Sequence, residues 1–527
     1  MTDQGQLAAE CLSIRPSLPK ADNWRASVVP LLALALVSYS GVLHVSTWPS
    51  RLRYPGEEDA AEGTQLSEMV HLRQGIHIYR LPSNGSFDGA IYGPLCYLVG
   101  ATVINPNQPA YAPLRLLSLA ATLGLAIACA VFAFKLADSR LAGILAALML
   151  FSMALIARYG ISARADMVAL LLAFVGFLIF YSFRESRRAL IFSAMLMLLS
   201  LFYKQQFVGA PIAVFLYLVV EKRFRQASEF AATMLAGGLI LVFVFSYVIF
   251  PGQFFARHFL SYNRLPFDKS RLLPEILMFV IPFFLPVLGS ADFLTDRPDR
   301  LVSSYVGVSV GAYFVLLLSS GPGADTNHCL EPAVVLSCVL AARIATTRGM
   351  LPGLTWVGAL AITLALVALL NFAFVVPRVR PQDFVADAVL QRYLREEFPR
   401  GTPVLCYFAG DAVRAGLDAP VTNLWHYSAL IRKGALTDDE VLSRIGDGGY
   451  GAILLDFDVR RFDSSPMADF YTTRSMRDAV VRSYQQVARL RLPGPETSPY
   501  TDGYIYVWTP KYRGAKQALR ETVGYIQ

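Results

Sequence analysis

The sequence predicts a polytopic α-helical membrane protein of about eleven transmembrane helices, carrying a C-terminal soluble α/β domain. Three observations carry that prediction. Hydrophobic side chains make up 55% of the 527 residues and charged ones only 16%, against about 25% charged in soluble domains; the mean hydropathy is +0.45. Apolar runs long enough to cross roughly 30 Å of hydrocarbon recur as far as residue 376. Residues 377–527 are polar, mixed in charge and free of such runs.

Residues 1–25 read as a cytoplasmic segment. The first run, from Trp24 to His44, lacks a small-x-small cleavage site, so it is expected to be a retained helix rather than a signal peptide. Spans are expected at 26–46, 112–134, 141–157, 166–183, 189–203, 206–220, 228–250, 273–290, 302–320, 327–345 and 352–376. With the first residues in the cytoplasm, every inside connector carries Lys or Arg, for example Lys135 to Arg140, Arg184 to Arg188 and Lys222 to Arg225. That is the positive-inside pattern of a plasma (inner) membrane protein. Residues 91–104 are apolar but too short to span, which suits a re-entrant or interfacial piece on the outer side. Were they to cross, the later basic connectors would fall outside.

The outer face then receives an external loop at 47–111, the short turns near 158–165, 204–205 and 321–327, the loop 251–272, and a tail that is periplasmic or extracellular. The loop 251–272 is basic on the side where the charge rule disfavours it, and a broken local rule marks a place to look for function. In the tail, DFVADAVLQRYLREEF has helical periodicity, TPVLCYFA, GAILLDF and YIYVWTP read as strands, and Gly410-Asp411 reads as a turn. No dinucleotide fingerprint or P-loop occurs, so no nucleotide cofactor is expected.

The net charge of +8 is accounted for by topology-setting Lys and Arg, and no basic-aromatic interleaving points to nucleic acid. The six cysteines are scattered without a CxxC pair, so neither a disulfide framework nor a zinc site is expected.

Several polar constellations stand out against this apolar background. GEEDAAEG supplies Glu57, Glu58, Asp59 and Glu62 directly after the first span. A solvated charge run is the plain alternative to a carboxylate that accepts a proton from a nucleophile or holds a divalent cation, Mg or Mn, against a phosphate. LSEMVHLRQGIHIY, following it, reads as an amphipathic helix along the membrane ended by Gly75, and an early helix start would put Asp59 and Glu62 on one face. In RYGISARAD, Asp166 opens a span beside Arg164; it is either a helix cap or part of a metal or anion site, with Asp59 as the second candidate metal ligand. Lys204-Gln205 interrupts two apolar runs, so that Lys204 either snorkels or contacts phosphate. Arg257 and His258 belong to the basic loop and are candidates for a lipid phosphate. GPGADTNHCLEP places Asn327, His328 and Glu331 at the mouth of a span, as a packing network or as a sugar or phosphate site. Tyr79 and Tyr92 are aromatic candidates for acceptor packing or interface anchoring.

Taken together these residues resemble the GT-C glycosyltransferase superfamily, in particular protein O-mannosyltransferases and lipid A aminoarabinose transferases. The resemblance covers about residues 26–376. It rests on the acidic first external loop, on Gly75 and Tyr79, on Tyr92-Gly93-Pro94, on Arg164-Ala165-Asp166 and on Lys204-Gln205. The loop departs from the family in lacking an Asp-Glu pair in that order, which leaves Glu58, Asp59 and Glu62 as alternative bases, and Ala165 stands where the family usually has Pro. The resemblance implies transfer of a sugar from a polyprenyl-phosphate donor to a lipid, glycan or protein acceptor. Asp59 or Glu62 would then act on the nucleophile, Asp166 would help hold a cation or the acceptor, and Lys204, Arg257 and His258 would face the phosphate. Two other readings compete: a lipid or solute transporter or flippase, which calls for internal repeats and midplane ionisable residues, and a scaffold whose tail binds a partner.

Overall fold

The structure is a computed structural model that describes residues 24–251, 255, 258, 262, 284–291, 294, 299–319, 326–346, 364–370, 376–464, 472–494 and 503–511. Where the predicted spans are described, most of their residues are helical. The first part contains α1 (Trp24–Val45), α2 (Trp48–Arg53), α3 (Ala60–Arg73), α4 (Pro94–Val103), α5 (Ala112–Ala137), α6 (Arg140–Ser152), α7 (Ala154–Tyr159), α8 (Asp166–Ser182), α9 (Arg187–Tyr203), α10 (Gly209–Val220), α11 (Phe224–Phe243), α12 (Arg300–Ser319) and α13 (Leu330–Thr346). The expected spans at 273–290 and 352–376 fall mostly outside the described residues; the parts that are described, 284–291 and 364–370, are helical.

Among the described residues four helical stretches are long and apolar enough to cross a membrane: Leu31–Arg53, Ala112–Ala137, Phe224–Ile249 and Thr326–Thr346. Other apolar helices are shorter, so this criterion does not reach the expected count of about eleven. One physical reason is interruption. The span predicted at 141–157 is broken at Met153, whose extended backbone (φ −74°, ψ 126°) separates α6 from α7. The span expected from 166 is followed by a helix that ends at Lys204, where the backbone is again extended. Irregular backbone at membrane depth is tolerated where protein surrounds it, and residues 153–157 and 202–204 are buried. Residues 94–103 form the ten-residue helix α4, in keeping with a piece too short to span.

The helices pack as a bundle: α9 on α8, α5 on α6 and α8, α13 on α6, and α10 on α12. Three of the basic connectors gather at one end. Arg184 pairs with Asp299 at 2.5 Å, Arg223 with Glu185 at 2.6 Å and Arg300 with Glu221 at 2.9 Å. Asp166 begins α8 at its opposite end, roughly 25 Å away at 1.5 Å per residue.

The tail is a distinct α/β domain. Its elements are α14 (Pro381–Glu397), β1 (Val404–Cys406), α15 (Ala409–Arg414), α16 (Leu424–Arg432), α17 (Asp439–Gly446), β2 (Ala452–Leu455), α18 (Arg474–Ser483), β3 (Tyr484–Arg491) and β4 (Tyr504–Pro510). The sheet order is β1-β2-β4-β3. β1 pairs parallel with β2 in the register Val404 to Ala452, and β4 runs antiparallel to both of its neighbours. Gly410-Asp411, expected as a turn, lies inside α15.

The tail does not stand apart from the first external loop. Its segment 418–423 runs alongside residues 85–90, where the Phe87 amide donates to the Pro420 carbonyl at 2.7 Å and the Thr422 amide donates to the Phe87 carbonyl at 3.0 Å. α15 packs on α3. Their crossing requires glycine on both sides: a β-carbon at Gly63 would collide with the Glu57 carboxylate, and one at Gly410 with the Tyr111 hydroxyl and the Gly63 backbone. As a result α3 is buried at every position from Glu62 to His71. The expectation of an amphipathic helix lying along the membrane is therefore corrected. Its polar residues are enclosed by protein: Glu62 faces Arg115, whereas Thr64 and Glu68 reach Thr422 of the tail. Gly75 follows the end of α3 at φ +79°, a conformation that glycine adopts without strain.

Candidate functional site

The four loop acids have four different environments. Glu58 lies against Arg51, which donates from Nε at 2.9 Å and from Nη2 at 2.5 Å; both side chains are buried. Glu62 accepts from Arg115 Nη2 at 2.6 Å, from the Glu58 amide at 3.0 Å and from the Ala163 amide at 2.5 Å, and it has no exposure. Burial pushes the Glu62 carboxyl above its ordinary pKa, with Arg115 opposing. Glu57 is buried against Tyr111, whose hydroxyl donates to it at 3.1 Å; burial, with Asp411 of the tail nearby, raises its pKa well above the ordinary value. Asp59 is the exception. It is the N-cap of α3, accepting from the Ala61 and Glu62 amides through Oδ1 at 3.0 and 3.1 Å, and its Oδ2 meets Arg164 Nη1 at 3.1 Å. Its side chain keeps 27% exposure.

The helix start at Ala60 settles the shared-face question. Asp59 lies outside the helix and Glu62 within it, so the two carboxylates point to different partners. Asp59 turns outward while Glu62, like Glu58, is consumed by an internal arginine. Such pairs satisfy one another in the low-dielectric interior, and losing one partner leaves a buried charge. Arg51 and Arg115 are residues that sequence reasoning missed. A charge within the apolar run 112–134 was the available signal for Arg115.

A second cluster adjoins Asp59. Asp166 is the first residue of α8, not its cap, which is Ala165. Its Oδ1 accepts from Lys204 Nζ at 2.5 Å and Asn327 Nδ2 at 3.0 Å, and its Oδ2 lies 3.3 Å from Arg164 Nε. Asp166 is fully buried. Arg164 thus bridges Asp59 and Asp166, with its guanidinium 5.1 Å from the Tyr159 ring centroid. The Lys204 ammonium lies 4.7 Å from the Tyr92 ring centroid. That contact depends on Gly93, where a β-carbon would run into the Phe202 carbonyl at the end of α9. Gln205 donates to the Ile91 carbonyl at 2.9 Å and Gln206 to the Asn327 carbonyl at 3.0 Å, tying the same strands of chain together. The structure therefore brings together Asp59, Arg164, Asp166, Lys204, Tyr92, Gln205 and Asn327 from distant stretches of sequence.

Other expected site residues lie elsewhere. Glu331 caps α10, accepting from the Gly209 and Ala210 amides at 3.0 and 2.8 Å and from the Tyr305 hydroxyl at 3.1 Å. Its carboxylate answers the positive end of a helix, as a packing network would. His258 is buried, with Nε2 3.0 Å from the Arg80 carbonyl and its ring stacked on Phe87; it packs in an aromatic cluster and does not face the Lys204 group. Tyr79 is buried in the same cluster, its hydroxyl donating to the Tyr92 carbonyl at 3.0 Å. It supports Tyr92 from behind rather than presenting a surface to an acceptor. His328 is half-buried in the short 3-10 turn Thr326–Cys329. Arg257 lies outside the described residues.

A divalent cation between Asp59 and Asp166 would have to displace Arg164 from both carboxylates, and Lys204 from one. Among the described residues no group of three or more His, Cys, Asp or Glu side chains converges as a ligand set. The residues as arranged do not fit the expected metal at this place.

No protein-family model matches the sequence, and no curated protein does either. The fold, however, matches solved structures along almost the whole chain. ArnT from Cupriavidus metallidurans in the apo state superposes with a TM-score of 0.55 at 10% identity, covering 92% of this chain and 97% of that one. ArnT from the same organism bound to undecaprenyl phosphate gives 0.53 at 12% identity, covering 93% and 98%. The fold is of the GT-C type. Within this GT-C fold the coverage includes the tail, so the distinct C-terminal domain is part of the shared architecture.

Proposed function

We propose that this chain is a membrane glycosyltransferase that moves a sugar from a polyprenyl-phosphate donor to a lipid, glycan or protein acceptor. The observation that carries the reading is the chain of alternating charges Asp59–Arg164–Asp166–Lys204, with the partly open carboxylate of Asp59 at one end. Its occurrence on a GT-C fold supports it, as does the undecaprenyl phosphate bound to the similarly folded ArnT. In this reading the acceptor hydroxyl attacks the anomeric carbon, and the bond from that carbon to the phosphate oxygen breaks with its electron pair leaving on the phosphate. The acceptor proton passes to Asp59 Oδ2, a general-base role. Lys204 and Arg164 answer the charge that develops on the leaving phosphate. Asp166 is a positioning residue that holds both cations.

The proposed location is the plasma (inner) membrane, with the Asp59 cluster and the tail on the periplasmic or extracellular side. Support comes from the basic connectors gathered at the opposite end of α8. A transporter would place its ionisable residues near the midplane, whereas Asp166 opens α8 and Lys204 closes α9. The test is sugar transfer by the full chain from a panel of polyprenyl-phosphate sugars. Asp59→Asn is expected to lower kcat by about 10²–10⁴-fold, the usual share of a general base, and full activity in that variant would remove the proposed base. Chelation by EDTA, followed by readdition of Mg or Mn, is expected to leave the rate unchanged; loss and recovery would restore the cation to the mechanism.

A further inference from the structure

Alongside α3, from Tyr54 and Tyr111 to its last turn, the membrane domain and the tail enclose a cleft of about 1120 Å³. Four pieces of chain form it: the end of α2, the last turn of α3, the connector 106–112 leading into α5, and the tail around 395–401 and 413–418. Because the connector feeds a membrane-spanning helix, the cleft opens near the level of the lipid headgroups. Its size exceeds what a drug-sized ligand needs and would hold several sugar or phosphate units.

The charge of its wall is one-sided. Arg53, Arg395 and Arg400 are exposed on it. Arg395 donates to neutral oxygens, Gln391 Oε1 at 3.4 Å and the Arg414 carbonyl at 3.1 Å. Neither Arg53 nor Arg400 makes a side-chain hydrogen bond or ion pair among the described residues. Behind them the balance is closed: Arg414 is paired with Asp387 and Asp411 at 2.8 Å each, and His71 with Asp88 at 2.7 Å. The one carboxylate on the wall, Asp418, lies 3.7 Å from His71. Three arginines thus line the same open space without a carboxylate paired to any of them among the described residues. The exposed amides of Asn107 and Gln108 add neutral donors. Guanidinium groups in this arrangement suit phosphate and carboxylate oxygens.

We propose that this cleft binds the anionic part of an elongated acceptor, a phosphate- or carboxylate-bearing glycan or headgroup. The inference rests on the transferase reading of Asp59 and specifies its substrate class. α3 sets the upper scale: from Asp59 to His71 it rises roughly 18 Å, so the charged group lies within about that distance of the attacked hydroxyl on the acceptor.

The test uses the full-length protein in detergent, with inorganic pyrophosphate as the soluble probe and dioctanoyl phosphatidic acid as the lipid probe. Binding is read by titration calorimetry at low salt and again with added salt. Lys204→Ala serves as the background, to remove the phosphate contact proposed for the donor. In that background the Arg53→Glu/Arg400→Glu double variant is expected to weaken pyrophosphate binding at least tenfold, and salt to weaken what remains. Tighter binding of the lipid than of pyrophosphate, lost in the double variant, would assign the anion to a headgroup; equal binding would assign it to a free glycan. Undiminished binding in a folded double variant, or no binding of either probe at low salt, would overturn the proposal. Donor hydrolysis without acceptor, measured with Lys204 in place, separates the two readings: Arg53→Glu/Arg400→Glu should retain it and Asp59→Asn and Lys204→Ala should each lose it, and full hydrolysis in those two would mark a failure of the transferase reading itself.

Discussion

At the scale of single residues, the loop acids divide by what answers their charge. Asparagine is as good an N-cap as aspartate, so Asp59→Asn should leave the melting temperature nearly unchanged while removing the carboxylate. Glu58→Gln and Glu62→Gln should do the opposite. Each leaves a buried arginine with no carboxylate, a loss of about 3–5 kcal/mol when a buried pair is broken, and thermal unfolding of the purified chain measures it. This division was not legible in the sequence. All four acids read as one run, and Arg115, the partner that separates Glu62 from Asp59, lies 53 positions away in an apolar stretch. Asp166, Arg164 and Lys204 were legible as candidates because a charge at the edge of an apolar run has few inexpensive places to go. Their mutual contact was not, since it depends on how α8 meets α9.

Elements show a similar split. Spans and strands followed from hydrophobic length and period: β1, β2, β4 and α14 lie where the pattern puts them. β3 escaped notice because the alternation in YQQVARLR is interrupted at Gln485-Gln486 and Val487-Ala488, where the pairing with β4 shifts register between Gln486 and Ala488. α3 was found but misplaced, because an amphipathic pattern reports two unlike faces without saying what covers the polar one. For Gly93 the expected outcome is concrete. Gly93→Ala pushes Tyr92 away from Lys204, and a displacement of about 1 Å at such a place costs about 10²-fold in rate. Single-turnover kinetics with bound donor would measure it. An unchanged rate would show that the Tyr92–Lys204 contact is dispensable.

For the whole molecule, the interface between loop and tail carries a pH signature. Burial raises Glu68 from 4.5 to about 8, and Asp411 from 3.8 to about 6. Their unfolded forms release protons at the ordinary carboxylate values while the folded forms retain them, so folded stability is lost as pH rises between those limits. His71 has the same sign: burial would lower it, but Asp88 and Asp418 raise it from 6.5 to about 10, and its contribution disappears as pH climbs across that window. The unfolding midpoint should therefore fall from pH 5 to pH 9. Glu68→Gln should flatten the early part of the decline, as melts at pH 5, 7 and 9 would show; a parallel decline in the variant would remove Glu68 as its source.

The contact between Thr64 and Thr422 has a further consequence in time. The Thr64 hydroxyl donates to the Thr422 carbonyl across 358 positions of sequence, so the loop that carries Asp59 emerges early in synthesis and finds its lasting neighbours only near the end. At about 5–20 residues per second, several tens of seconds separate the two. During that interval α3 has its buried residues uncovered, and the nascent chain holds an unfinished site beside a nearly complete bundle. A chain stopped after residue 380 should insert its helices yet leave residues 57–90 open to protease, while the full chain protects them. The loop that carries Asp59 is therefore not covered until residues 409–423 have emerged and folded against it.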